Sequence, residues 1–429
     1  MTAFRIELRR SSALLLAAAT VVVGALLLWL LADEWTARWS GLAYLMRALL
    51  FALVPVALAA GAWQGGRDRR AGVTELFGTV ARPYPQRLLP VALAMAAGVL
   101  VAYAALLAGG SVQVAPYASY AGGQWPVVVA VGAVALVAAA WLGMAVGRWV
   151  PSVLTPPTLL VFSFLGQMLS RLDNGVLLPV LATPSDLATV APEFLAAQGV
   201  WFGGLAAAAL LLVASATVWA RALAAAVALA AAGVSSAVAP ATAFVVSTDG
   251  ATLVCADGEP RVCAPRIHAA VLPALTEPAR EALRTLAPIP NAPTRVVATD
   301  LGWAPVAPQR TTDVLVVDLR FRLNATGRFE AAPAGLRTIL LKGAGTQSCP
   351  DPAWGFERDV AADQAATGWV TGRPAGPATD EYGRLGERTL SELKALPRPE
   401  QLARLAAYRT AKVRCDRDPL TALTTGAPR

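Results

Sequence analysis

The chain has 429 residues, of which 56% are hydrophobic and only 15% are charged. This composition excludes an ordinary soluble globular protein and is typical of a protein with several membrane-spanning helices. The net charge of +8 does not indicate nucleic-acid binding, because the positive charges of the first half lie in short loops beside apolar runs. Arginine largely replaces lysine and alanine fills the apolar runs, a usage typical of a G+C-rich bacterial gene.

Nearly all long apolar runs lie before residue 247. A helix that crosses the hydrocarbon core of a bilayer needs roughly 20 apolar residues. Only Arg221 separates the last two runs that reach this length, and Pro240 can kink or end the final one. The first run is longer than the apolar core of a signal peptide, and no small-residue cleavage site follows it. We predict seven spans, at residues 12–32, 43–63, 88–108, 126–147, 150–170, 200–219 and 223–246.

The loops between these spans alternate in charge. Loops on one side contain most of the arginines of this half, whereas loops on the other side contain only Arg38 and Arg171. Cytoplasmic loops are enriched in Lys and Arg, so we predict a cytoplasmic N-terminus and place a domain that follows seven spans outside the cytoplasm. The arginine-rich side comprises Arg5, Arg9, Arg10, Arg67, Arg69, Arg70, Arg82, Arg87, Arg148 and Arg221.

The chain therefore divides into a predicted membrane domain, residues 1–248, and a predicted extracytoplasmic domain, residues 249–429. The second domain contains 23 Lys and Arg and 20 Asp and Glu, as a water-soluble domain would. Within it, "TRVVA", "DVLVVDLRFRL" and "GLRTILLK" favour strands, whereas "PAREALRTLA" and "PEQLARLAAYRTAKV" favour helices. The proline- and glycine-rich stretch 371–378 predicts a loop. The fold class is accordingly an α-helical polytopic membrane protein with a C-terminal mixed α/β domain.

Cysteine usage gives a second indication of topology. All four cysteines lie in the C-terminal domain, and an even number confined to one domain fits an oxidising compartment. The alternatives are a zinc site, although no C-x2-C spacing is present, and unpaired cytosolic cysteines, which would require an even number of spans. The expected disulfides are Cys255 with Cys263 and Cys349 with Cys415.

Residues that could carry catalysis or bind a metal are sparse. The single histidine, His268, follows Cys263 closely in "CAPRIH", where a role in the core is the simpler interpretation. No HExxH or G-x-S-x-G string occurs. We therefore expect no enzyme, no metal site and no cofactor. The carboxylates that could form a glycosidase-like pair are also expected on ordinary solvated faces: Asp313, Asp318, Asp351, Glu357 and Asp359.

Arg47 is exceptional because it falls inside the second predicted span. An arginine in the bilayer is costly and often faces a cavity. It lies close to the outer end of the span, however, so snorkelling to the interface is favoured over a role in binding substrate.

The segment "GGRDRRAGVTELFGTVARPYPQR", residues 65–87, interrupts the apolar first half. Val73, Leu76, Phe77 and Val80 recur at helical spacing, so the segment predicts a short amphipathic helix that ends before the prolines of "ARPYP". The apolar face of this helix must be buried against another surface. Lipid is one candidate, with the arginines on phosphates, and a groove on a cytoplasmic partner is the other.

A charged N-terminal segment, a first pair of spans and this loop together resemble the ABC-2 type permeases of ATP-binding-cassette exporters. The resemblance covers roughly residues 1–220. It implies a coupling helix in the loop that docks on a separate ATPase subunit, and a core of six spans, one fewer than predicted here. The matching positions are Arg67, Asp68, Arg69, Arg70, Gly72, Glu75, Leu76, Arg82 and Pro83.

The resemblance predicts a permease subunit in the cell membrane that works as a homodimer or with a second permease. No G-x-x-x-x-G-K-[ST] string occurs, so ATP-driven transport would require a partner ATPase. The alternative is a membrane-anchored binding or sensor protein that acts through its outer domain. The predicted contacts with the ATPase are Val73, Glu75, Leu76, Phe77 and Val80, beside the basic residues Arg67, Arg69, Arg70 and Arg82.

Overall fold

The computed structural model describes residues 11–35, 37–73, 84–169, 175–215, 217–306, 309–319, 322–324, 326–350, 352–375 and 380–426. It is mostly helical and divides into two compact units, Met1–Ser247 and Thr248–Arg429. We call them the N-terminal and C-terminal units. Each buries a hydrophobic core of its own.

The N-terminal unit is built from helices, with one short pair of strands. Strands β1 (Ala188–Val190) and β2 (Phe244–Val246) pair antiparallel, with Thr189 opposite Val245. The helices are α1 (Ala13–Leu30), α2 (Ala32–Trp35), α3 (Trp39–Ala48), α4 (Leu50–Gly65), α5 (Arg67–Arg70), α6 (Tyr84–Val114), α7 (Trp125–Trp149), α8 (Thr155–Leu169), α9 (Pro192–Ala214) and α10 (Val218–Val238).

Five of the described helices, α1, α6, α7, α9 and α10, are long and apolar enough to cross a membrane. Helices α3 and α4 pass the same test together, although the chain bends by 43° between them. The predicted fifth span, 150–170, corresponds to α8, which has only 15 residues and does not reach the required length. The described residues thus supply up to six candidate spans on length and composition.

The last two predicted spans were misplaced along the chain. The structure has these helices at Pro192–Ala214 and Val218–Val238, not at 200–219 and 223–246. Pro192 occupies the first turn of α9, where its missing N–H costs nothing. Thr217 caps α10 by accepting a hydrogen bond from the Ala220 amide at 3.2 Å. Arg221 therefore lies inside α10 and does not form the turn.

Four glycines bring α4 and α7 into backbone contact. A Cβ atom added to Gly61 would lie 2.1 Å from the Ala140 carbonyl oxygen, and one added to Gly143 would lie 2.1 Å from that of Leu58. Gly65 and Gly147 make equally close approaches one turn further along each helix. Both helices thus contain a Gly-x-x-x-Gly pattern, which allows membrane helices to pack closely. We call this contact the glycine seam.

The C-terminal unit combines a four-stranded sheet with helices. Its strands, in the order β3-β4-β5-β6, are β3 (Leu253–Cys255), β4 (Val262–Pro265), β5 (Arg295–Thr299) and β6 (Val314–Asp318). The β3–β4 pair is antiparallel, whereas β4, β5 and β6 are parallel. The helices are α11 (Leu272–Leu286), α12 (Pro333–Leu341), α13 (Phe356–Thr371), α14 (Glu381–Lys394), α15 (Arg398–Arg414) and α16 (Pro419–Thr425).

The segment "GLRTILLK" lies mostly in α12, so the prediction of a strand there was wrong. Pro333 starts this helix, and Leu336, Leu340 and Leu341 bury one of its faces. The predicted strands at "TRVVA" and at the start of "DVLVVDLRFRL" are present as β5 and β6, and the two predicted helices lie within α11 and α15. In the predicted loop 371–378, α13 ends at Thr371 and Gly372 adopts a left-handed conformation.

Candidate functional site

The basic segment that follows α4 begins with a single helical turn. Arg67, Asp68 and Arg69 are exposed on this turn, α5. The Arg70 guanidinium lies 4.4 Å from the centroid of the Trp63 ring and donates a hydrogen bond to the Trp63 carbonyl oxygen. A cation on an aromatic face is a favourable contact. Arg70 is thereby held against the last turn of α4.

The predicted coupling helix lies almost wholly outside the described residues. This applies to Glu75, Leu76, Phe77 and Val80, and also to Arg82 in the basic loop. Val73 is described and is not helical: its amide donates to the Asp68 carbonyl oxygen at 3.2 Å, just beyond the end of α5. The amphipathic helix therefore remains a prediction from the sequence.

Other cations lie at the helix ends that adjoin this segment. Arg148, near the end of α7, donates to the Val213 carbonyl oxygen of α9 at 2.5 Å. Arg221 lies 5.6 Å from the ring centroid of Trp149. A Cβ atom on Gly66 would lie 3.0 Å from the Gly147 carbonyl oxygen, which joins the start of α5 to the end of α7. We call Arg67, Arg69, Arg70, Arg148 and Arg221 the basic end of the helix bundle.

Arg47 is the most deeply buried cation among the described residues of the N-terminal unit. It has 0% exposure, so the expectation that it snorkels was wrong. Its Nε atom donates to the Pro179 carbonyl oxygen at 2.9 Å, and Nη1 donates to that of Val128 at 3.3 Å. Its Nη2 atom donates to Gln198 Oε1 at 2.7 Å. Peptide and amide dipoles solvate the guanidinium in place of water.

The Arg47 network fixes the segment that precedes α9. Gln198 accepts from Arg47 and donates from Nε2 to the Leu178 carbonyl oxygen at 2.8 Å. A Cβ atom on Gly132 would lie 3.0 Å from Arg47 Cδ, so the side chain is tightly enclosed. Among the described residues no carboxylate forms an ion pair with Arg47. The sequence pointed to Arg47 but not to its partners, because main-chain carbonyls leave no mark in a sequence.

The four cysteines of the C-terminal unit form the two expected pairs. Cys255 and Cys263 lie opposite each other on β3 and β4, with their sulfur atoms 2.06 Å apart. Cys349 and Cys415 join residues 66 apart in sequence, with an S–S distance of 2.12 Å. Cysteines bonded to each other offer no thiolates to zinc. No three His, Cys, Asp or Glu side chains within the described ranges are grouped to hold a metal ion.

A buried ionic cluster joins α13 to α15. The Lys412 ammonium lies 2.7 Å from Asp359 Oδ2 and 2.8 Å from Asp363 Oδ1, and its side chain is wholly buried. The Tyr408 hydroxyl donates to Asp363 Oδ1 at 2.7 Å. Burial, and then the Asp363 carboxylate, hold the pKa of Tyr408 well above its usual range, so the hydroxyl stays protonated as a donor. We call these four residues the lysine cluster.

Sequence reasoning missed this cluster. Asp359 was interpreted as one of several carboxylates on solvated faces, yet it is only 3% exposed. Two signals could have identified it. Asp359 and Asp363 are four residues apart, which places them on one face of a helix. Lys412 is one of only three lysines in a chain with 36 Lys and Arg.

Arg409 is a second buried cation beside the lysine cluster. It donates hydrogen bonds to the carbonyl oxygens of Asn291 at 3.2 Å, Thr312 at 2.7 Å and Ala344. Burial lowers the pKa of Arg409 to about 10. The guanidinium is thus charged at neutral pH and ties α15 to three separate loops.

The carboxyl ends of the parallel strands contain polar side chains that shape the adjoining turn. Asp318 Oδ1 accepts from the Leu301 amide at 3.2 Å, and Asp300 Oδ1 accepts from the Gly302 amide at 2.8 Å. His268 follows β4 and is 5% exposed, in keeping with a place in the core. This edge is where α/β sheets commonly bind ligands, but here the two carboxylates hold the turn after β5.

Comparison of the chain with protein-family models, curated proteins and solved structures found no match.

Proposed function

We propose that this chain is the membrane-spanning permease subunit of an ATP-binding-cassette exporter, driven by a separate ATPase. The observation that carries the proposal is the basic end. The cations of the loop that resembles a coupling segment, Arg67 to Arg70, adjoin the ends of α4 and α7. Arg148 in turn connects α7 to α9. A protein bound at this loop would therefore act directly on several helices.

Contacts at the two ends of the helices fit the alternation of sides that the loop charges predict. Ser12, at the start of α1, donates from its amide and hydroxyl to Gln64 near the end of α4, each at 2.9 Å. Trp39 at the start of α3 stacks on Trp125 at the start of α7, with ring centroids 5.1 Å apart. Each contact joins segments that the positive-inside rule assigns to the same side.

In this proposal α8 counts as a seventh crossing, although its 15 residues fall short of the length that a span needs. Gln167, near its end, donates to the Phe51 carbonyl oxygen at 3.2 Å, and Phe164 lies 4.6 Å from the Phe51 ring. Phe51 stands at the start of α4, so α8 runs antiparallel to α4. A crossing here would leave the C-terminal unit on the side opposite the N-terminus. Its two disulfides fit an oxidising extracytoplasmic compartment.

The contacts suggest how force from an ATPase would travel. A displacement of α5 would reach α4 across Gly66, and the glycine seam would pass it to α7 because backbone contacts cannot slide freely. The bend between α3 and α4 stands next to Arg47 and its network. In this proposal the Arg47 network is the last part of the bundle to receive the displacement. Two such bundles, from two copies of the chain or from one copy and a second permease, would enclose the transport path.

Replacement of Leu76 and Phe77 by glutamate tests the proposal. Burial of these side chains in a groove would contribute roughly 3–6 kcal/mol before the costs of binding, so the change should abolish recovery of the ATPase with the chain after gentle detergent extraction. The matched control is the same replacement at Val153 and Leu154, exposed apolar residues between α7 and α8. Recovery of the ATPase with both variants would refute the coupling role.

A membrane-anchored sensor is the second candidate. The observation that favours it is the C-terminal unit, which has a core of its own and two disulfides. If the chain is a permease, a neighbouring gene should encode a protein with a P-loop. The ATPase activity of that P-loop protein should rise when it is mixed with the chain. A chain that is always isolated without a P-loop protein would favour the sensor.

A further inference from the structure

The disulfide between Cys349 and Cys415 has a cation beside it. Arg310 Nη1 lies 2.7 Å from Cys415 Sγ and 3.8 Å from Cys349 Sγ. The guanidinium is held in place because it also donates to the carbonyl oxygens of Lys412 and Ser348. Among the described residues, neither sulfur of the Cys255–Cys263 disulfide accepts a hydrogen bond from a cationic side chain.

A guanidinium at this distance favours the thiolate over the thiol, because it compensates the negative charge that reduction creates. A disulfide whose reduced form is stabilised in this way is a better oxidant. We propose that Cys349–Cys415 is a thiol–disulfide exchange site that accepts two electrons from an external dithiol, with Arg310 as its positioning residue.

The two sulfurs differ in access, which sets the order of steps. Cys415 is partly exposed, whereas Cys349 is 7% exposed. A thiolate of the dithiol attacks Cys415 Sγ, the S–S bond breaks, and Cys349 leaves as a thiolate. The second thiolate of the dithiol then attacks its own sulfur in the mixed disulfide, so Cys415 leaves in turn. The dithiol becomes a disulfide, and both leaving thiolates lie within reach of Arg310.

The fold around the site does not depend on this bond alone. Lys412, three residues before Cys415, holds α15 to α13 through Asp359 and Asp363. Arg409 attaches the same helix to three loops. The reduced form should therefore keep its packing, as reversible exchange requires. This inference is independent of the proposed transport function.

A redox titration of the purified full-length chain tests the site. Samples equilibrated at pH 7 with mixtures of reduced and oxidised dithiothreitol are alkylated, and the two cysteine pairs are quantified by mass spectrometry. Arg310→Gln should require a ratio of reduced to oxidised dithiothreitol about three- to tenfold higher to reduce Cys349–Cys415, since the thiolates lose their cation. Cys255–Cys263 should respond identically in both proteins.

A structural role for Arg310 predicts the opposite sign. Loosened packing in Arg310→Gln would expose the disulfide and make it easier to reduce, and that result would overturn the proposal, as would no change. Arg310→Lys keeps a positive charge and should fall between wild type and Arg310→Gln. If Arg310→Gln does not fold, Arg310→Met takes its place, and a midpoint for Arg310→Met equal to that of wild type would count against the site.

Discussion

The Lys412 ammonium lies 2.7 Å from the Asp359 carboxylate, with the two side chains 0% and 4% exposed. Removal of one partner from a buried ion pair leaves an uncompensated charge. Lys412→Met should therefore lower the free energy of unfolding by about 3–5 kcal/mol. Urea unfolding of the full-length chain in detergent, followed by tryptophan fluorescence, measures this loss.

The matched control for Lys412→Met is Arg358→Gln. The Arg358 guanidinium bonds Asp418, but its side chain is 44% exposed. Exposed ion pairs contribute only about 0–1 kcal/mol. A triple variant that combines Lys412→Met with Asp359→Asn and Asp363→Asn should regain part of the lost stability. Equal effects of the Lys412 and Arg358 changes would show that the cluster is not an effective anchor.

Tyr408→Phe should change how stability depends on alkaline pH. The folded-state pKa of Tyr408 is raised above its unfolded value of about 10 by burial and Asp363. The stability linked to this proton is fully present below pH about 10 and is lost as pH rises through the folded pKa. Wild type should therefore lose stability more steeply above pH about 10 than Tyr408→Phe.

Arg409 acts in the opposite direction in the same pH range, because burial lowers its folded-state pKa to about 10. Both proteins contain Arg409, so the difference between them isolates the tyrosine. At pH 7 Tyr408→Phe should lose about 1–2 kcal/mol, since Asp363 loses a donor. Parallel stability curves between pH 9 and 11 would contradict the assignment.

Gly143→Ala should destabilise the helix bundle. The added Cβ would meet the Leu58 carbonyl oxygen at 2.1 Å, and only separation of α4 and α7 can relieve that clash. Overpacking of this kind costs about 1–3 kcal/mol, visible as a lower melting temperature in detergent. Gly199→Ala in α9 is the control, because no atom lies within 4 Å of its added Cβ. A similar fall in both variants would argue against the glycine seam.

Arg47→Met should also destabilise the bundle, by a different cause. The change leaves the Pro179 carbonyl oxygen and Gln198 Oε1 without the donor they have now. Each buried polar group left unpaired costs about 1–3 kcal/mol. Arg47→Lys should not restore stability, because one ammonium cannot reach three acceptors set in different directions. Protease sensitivity near residues 175–187 should rise in both variants, and unchanged sensitivity would argue against the Arg47 network.

Most helices of the N-terminal unit are visible in the sequence because they are long apolar runs, of the length that crossing a bilayer would require. The first and last residues of these helices were harder to predict from the sequence. Pro192 and Thr217 set helix boundaries by local hydrogen bonding, which hydropathy does not record. In the C-terminal unit, "GLRTILLK" combined branched residues that suit a strand with leucines that suit a helix, and tertiary packing decided for α12.

The candidate sites were predicted less completely than the helices. Arg47 and the cysteines were identified because charge in an apolar run and paired thiols are unusual in themselves. Gln198 and Lys412 acquire their roles only from residues far away in sequence, at separations of 151 and 53. Without those contacts Gln198 is an ordinary polar residue and Lys412 an ordinary surface lysine.

The short strand pair β1–β2 has a mechanical consequence. Strand β2 ends at Val246, and the Ser247 amide donates to the Leu187 carbonyl oxygen at 2.9 Å. The polypeptide leaves the N-terminal unit at the next residue, Thr248. A pull on the chain at that point would load the hydrogen bonds between β1 and β2 before any tension reached α10. The strand pair would thus bear a force applied through the C-terminal unit first, and α10 would be protected from being pulled out of the bundle.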